Sequence, residues 1–176
     1  MAPQTLRQSQ LLWGRWYEGD LTNERITVSY GVAAEGRVGA IRNDTYVLFR
    51  TQDGPNIVKS GLGVVDFTLT QAQATFSPTN GAKSLMSVDD GQLSIDFDRS
   101  RFSTSLQLSH AATGKVTFAE SGAIYGGGFF HSPNPTYEHG MAGAVSLDGT
   151  EAGYVFDENV SNGHVEGLTL WSGGQK

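Results

Sequence analysis

Apolar and polar residues alternate along much of this chain with a period of two. Leu93, Ile95 and Phe97 interleave with Ser94, Asp96 and Asp98, and Phe102, Thr104, Leu106 and Leu108 interleave with Ser103, Ser105, Gln107 and Ser109. A pleated strand turns successive side chains to opposite faces, so each run can bury one face and wet the other. The short link at residues 98–101 joins the two runs as a hairpin. Upstream, the apolar positions change phase: Val65, Phe67 and Leu69 are odd, whereas Ala72, Ala74 and Phe76 are even. A β-bulge or strand break near Thr70 and Gln71 would return both sets to one face. Further strands are predicted at residues 11–17, 26–30, 46–50, 115–120, 123–130, 141–147, 153–157 and 165–171. No window sustains an i, i+3, i+4, i+7 apolar pattern, and glycine interrupts most stretches of helical length, so no helix is predicted.

Dipeptides that tolerate tight hairpin turns separate these runs: Asp53-Gly54, Asn80-Gly81, Asp90-Gly91, Asp148-Gly149 and Asn162-Gly163. Many short strands with turns every 8 to 12 residues or so predict an all-β protein, an antiparallel up-and-down β-barrel of about eight strands, soluble rather than membrane-embedded. Closure removes sheet edges, and Gly126, Gly127, Gly128 and Gly143 are read as bends within strands. Residues 1–10 read as an arm, residues 11–172 as a single barrel domain and residues 173–176 as a tail. Trp13 and Trp16 fall on opposite faces of the first strand, so one of them is expected to plug the barrel. Most predicted strands are shorter than the roughly 9 to 11 residues that cross a bilayer, and no stretch has the length of a signal peptide or spanning helix.

Composition narrows the function classes. Among 176 residues, 12 Lys and Arg stand against 18 Asp and Glu, for a net charge of -6, which does not suit nucleic acid. The 23 glycines, about twice the usual share, fit a fold rich in turns. The chain has no cysteine, which excludes disulfide scaffolds, thiol nucleophiles and Cys-ligated metals.

Candidate chemistry collects in one segment. Residues 131–139 carry His131, Tyr137, Glu138 and His139 in a polar connection with two prolines, and Tyr125 lies just upstream. A connection of this kind, presented by rigid strands, can contact a ligand or a partner. Its spacing matches no zinc or facial-triad motif, so no metal is expected. Tyr125 and Tyr137 beside the histidines are also residue types that ligate haem iron. Gly126-Gly127-Gly128 has neither a dinucleotide nor a Walker pattern, and no Gly-x-Ser-x-Gly elbow marks a nucleophile. Asp96 and Asp98 share the polar face of their strand, where solvated carboxylates are ordinary. The expectation is a protein with no catalytic residues and no cofactor.

Leu12-Trp13-Gly14-Arg15-Trp16, together with the segment from Gly149-Thr150-Glu151 to Tyr154-Val155-Phe156 and then Val165-Glu166-Gly167 and Trp171, resembles the C-terminal region of exported bacterial proteins that carry a FecR domain. Gly91-Gln92-Leu93-Ser94-Ile95-Asp96-Phe97 and Gly122-Ala123-Ile124-Tyr125-Gly126-Gly127-Gly128-Phe129 are similar to strands of the transferrin-binding-protein-B-like β-barrel of surface lipoproteins. Phe129-Phe130-His131-Ser132-Pro133 stands where those barrels usually carry a Phe-Tyr-Gly-Pro type turn. The resemblance implies a non-enzymatic recognition or structural module of the cell envelope, cell surface or secreted fraction of a bacterium, working through loop contacts with a protein partner. It implies as the alternative the capture of a small ligand, haem or another iron source. Contact with nucleic acid and membrane insertion of this domain are not expected.

Overall fold

A computed structural model describes residues 10–15, 27–43, 45–51, 57–136 and 138–173. Eight strands form one antiparallel sheet: β5 (Val64–Pro78), β6 (Ser84–Asp96), β7 (Arg101–His110), β8 (Gly114–Ala123), β9 (Phe129–His131), β10 (His139–Val145), β11 (Glu151–Val160) and β12 (Gly163–Gly173). Each strand neighbours the next in the chain, and β12 returns to pair with β5. β8 and β9 meet only through the bridge between Ile124 and Phe130, so the barrel is up-and-down and nearly closed.

Alternation decides what fills it. Leu93, Ile95, Phe102, Leu106 and Leu108 all enter the same buried core, and Phe97 packs half-buried at its edge, beyond the end of β6. Tyr154 and Trp171 stack across the interior with ring centroids 5.8 Å apart. The Tyr154 hydroxyl is 2.8 Å from Thr104 Oγ1, and burial pushes its pKa above the ordinary tyrosine value. The phase change on β5 is a bulge: Leu170 faces Gln71 but Trp171 faces Leu69, leaving Thr70 as the extra residue, with its hydroxyl donating to Leu170 O at 2.9 Å. A second register shift on β6, between Val88 and Asp90, sets Asp89 apart in the same way.

The remaining strands are not part of the barrel. β1 (Leu11–Arg15), β2 (Thr27–Ser29), β3 (Arg37–Arg42) and β4 (Tyr46–Thr51) form a small sheet in the order β2-β1-β4-β3, with a five-residue helix α1 (Tyr30–Ala34) following β2. This sheet lies on the outside of the wall, where Leu11, Trp13 and Leu48 pack against Ala144, Val155 and Leu168. Trp13 is therefore not the plug. Its Nε1 donates to Thr169 O at 3.1 Å from outside, and the interior is filled by Trp171. Trp16 lies outside the described residues. Gln10, assigned to the arm, is tied in: its carbonyl accepts from Thr51 N, and its amide N–H donates to Glu151 Oε2 at 2.7 Å.

Other expectations need correction. The stretch 123–130 is not one strand, because residues 125–128 form a turn closed by Gly128 N donating to Tyr125 O at 2.8 Å. Gly128 has φ +84°, and a Cβ there would lie 2.8 Å from Val58 Cγ2, so both conformation and space demand glycine. Asp90-Gly91 lies inside β6, beside the bulge, rather than in a turn. The barrel strands are also longer than predicted, up to the 15 residues of β5, so short strand length is no argument against spanning. On β7 the outward positions are Ser103, Ser105, Gln107 and Ser109, all of them polar. Among the described residues no helix is long and apolar enough to cross a membrane.

Candidate functional site

The short β9 governs this end of the barrel. Its last residue, His131, pairs with Ala142 of β10, and the connection to β10 is bound down at several points. Ser132 is buried, its N–H donates to Met141 O at 3.0 Å, and its hydroxyl accepts from Met141 N at 2.8 Å. Thr136 Oγ1 accepts the N–H groups of Glu138 and His139, at 3.2 and 3.0 Å, while Glu138 O accepts from Asn159 N at 2.7 Å. The predicted contact loop is thus fixed to β10 and β11.

Pleating separates its two histidines. His131 shares the outward face with Ala142, whereas His139, three positions along β10, points inward with Met141. Tyr125 stacks on His131 with centroids 5.4 Å apart and planes 18° from parallel, and both side chains are exposed. Glu138 is exposed, and Tyr137 lies outside the described residues.

His139 sits in a carboxylate clamp. Its Nδ1 is 2.7 Å from Glu158 Oε2 on the adjacent strand, its Nε2 is 3.1 Å from Glu120 Oε2 on β8, and its ring rests 5.3 Å from that of Phe118. Partial burial disfavours the charged ring, but the hydrogen bonds and charges of Glu158 and Glu120 outweigh it, and the pKa is raised above the usual histidine value. With both nitrogens directed at carboxylates, the protonated ring can donate to Glu158 and Glu120 at once and so tie β10 to β11 and β8.

The sequence reading missed Glu120 and Glu158. The signal was available, since each occupies a position in phase with an apolar face, Val116 and Phe118 before the first and Tyr154 and Phe156 before the second. A carboxylate in phase with a core needs a partner.

Tyr125 also lines a groove of about 400 Å³ built from residues 57–61, the β6–β7 turn and the β8–β9 turn. Ile57, Val58, Phe97 and Ile124 supply its apolar surface, and Lys59, Asp98 and Ser100 its polar margin. Ile57 is 67% exposed and Tyr125 53%, so two large apolar side chains face solvent along one concavity. Its walls are held by backbone hydrogen bonds: Val58 N to Gly126 O at 3.2 Å, Phe97 N to Gly63 O at 2.9 Å and Ile124 N to Ser100 O at 3.0 Å. Such a surface can bind without first being ordered.

No protein-family model, curated protein or solved structure matches this chain.

Proposed function

We propose that this chain is a non-enzymatic recognition module of a bacterial envelope or secreted protein, binding a protein partner at the rim of its barrel. The observation that carries the reading is the exposure of Ile57 and Tyr125 along a groove whose walls are already hydrogen-bonded in place. Exposed aromatic and aliphatic side chains on a rigid floor are what an interface anchors on. The resemblance to the barrels of surface lipoproteins and to the C-terminal region of FecR-domain proteins supports the compartment and the absence of catalysis. One observation favours a second reading, capture of haem or another iron source: Tyr125 and His131 present a phenol and an imidazole side by side at the same rim.

The test compares the wild-type domain with the double variant Ile57→Ser, Tyr125→Ser as baits for a bacterial envelope fraction. The expected result is a defined protein retained by the wild type and weakened by about tenfold or more in the variant, with an unchanged melting temperature. Equal retention by both baits would refute the rim as the binding surface. A Soret band on haem titration, abolished by Tyr125→Phe with His131→Ala, would replace the first reading with the second.

A further inference from the structure

The outer wall carries a second cluster of polar side chains, away from the barrel rim. On the hairpin of β11 and β12, Asp157 stands directly opposite Glu166, and Asn159 directly opposite His164. All four side chains therefore share one face of two adjacent strands. The nearest ligand atoms of Asp157, His164 and Glu166 lie within 4.8 Å of one another. We propose that these three side chains form a binding site for a divalent transition cation of the zinc, cobalt or nickel class.

Three features support the assignment. Like charges placed directly across a pair of strands repel, so the Asp157–Glu166 register favours a cation between them. The only positive group paired with them among the described ion pairs, apart from His164 itself, is Lys83, at 3.4 Å from Glu166 and largely exposed. The donor set, one imidazole and two carboxylates, is one that borderline divalent cations accept, with water completing the shell.

The orientation of His164 is the third feature. Asn159 Oδ1 lies 2.8 Å from Nδ1 and accepts its proton, which directs Nε2 toward Asp157, where Nε2 to Oδ1 is 2.9 Å. A cation seated there would bond to Nε2 and to both carboxylates, while the hydrogen bond between Nδ1 and Asn159 holds the ring with Nε2 turned toward the carboxylates. Tetrahedral ligands about 2.0 to 2.1 Å from zinc stand roughly 3.4 Å apart, so side-chain rotation alone closes the set and the sheet need not move.

The experiment is calorimetric titration of the full chain with Zn²⁺ alone, repeated with Co²⁺ and read by its visible absorption. Wild type should bind one ion at this site. His164→Ala should weaken that binding by more than about a hundredfold, and Asn159→Ala, which frees the ring without removing a ligand, by about tenfold. Glu166→Gln provides a milder variant should His164→Ala unfold. Lys83→Ala should tighten binding, because a competing cation is gone. His131→Ala should leave binding unchanged. The proposal is overturned if wild type takes up no Zn²⁺, if His164→Ala and Glu166→Gln bind as wild type does, or if binding is lost with His131 instead.

Discussion

Replacing His139 by Gln tests whether its clamp is ionic. Glutamine preserves much of the size and can donate to one carboxylate, but carries no charge. A hydrogen bond to a fully buried charged group contributes about 1.5 to 3 kcal/mol, and His139 makes two, at 2.7 and 3.1 Å. The His139 side chain is 38% exposed, so solvent screening reduces their joint contribution to about 2 kcal/mol. For a domain of this size that corresponds to a fall in Tm of roughly 4 to 8 °C. The pH dependence follows from the direction of the shift. The folded pKa lies above the unfolded value near 6.5, so the stabilisation is complete below about pH 6.5 and is lost as pH rises through the folded pKa. Urea unfolding of wild type and His139→Gln, followed by tryptophan fluorescence, should show a gap of about 2 kcal/mol near pH 6 that shrinks to well under about 1 kcal/mol near pH 9. A gap of the same size at both pH values, or none near pH 6, would show that the two glutamates do not hold an imidazolium.

Two further outcomes test the packing. Trp13→Ala should cost about 3 to 5 kcal/mol, and in hydrogen exchange the amides of β1 to β4 should lose protection well before those of β5 to β12, because Trp13 is fully buried between the small sheet and the wall; uniform loss would mean that the two sheets unfold as one unit. Gly143→Ala should destabilise by about 3 kcal/mol or prevent folding, since the new Cβ would stand 2.5 Å from Gly153 O and 2.8 Å from Phe130 Cζ; a soluble variant with an unchanged urea midpoint would contradict the strand spacing.

Local rules carried the sequence reading where they act on neighbouring residues. The hairpin of β6 and β7 follows from alternation alone, and the phase change between Leu69 and Ala72 located the Thr70 bulge. What alternation cannot supply is which side of a sheet is covered by what. Trp13 reads the same whether it enters a barrel or lies against its outer wall, because both environments bury one apolar face of β1. Residues 26–30 are apolar and β-branched enough for a strand, yet the strand stops at Ser29 and Tyr30 begins a single helical turn packed beside β1. At the candidate site, proximity in sequence misled: His131 and His139 are eight positions apart but lie on opposite faces, whereas Glu120, 19 residues away, touches His139. The cross-strand set of Asp157, Asn159, His164 and Glu166 was in principle legible, since pairing outward from the turn before Gly163 places all four on one face.

The topology has a consequence for synthesis on the ribosome. The strands β5 to β8 form one local meander and β9 to β12 another, and the long seam between them pairs β5 with β12, the last strand of the barrel in chain order. As the polypeptide emerges, β5 can find β6 at once, but its other edge remains unsatisfied until residue 173 is free. The small sheet waits on the same event, because its hydrophobic face docks on β10 to β12. A nascent chain therefore carries an open 15-residue edge and an uncovered Trp13 until β10 to β12 have been made. Two such intermediates can exchange β12 through the seam that each would close alone, so crowded synthesis should favour strand-swapped dimers over random aggregates.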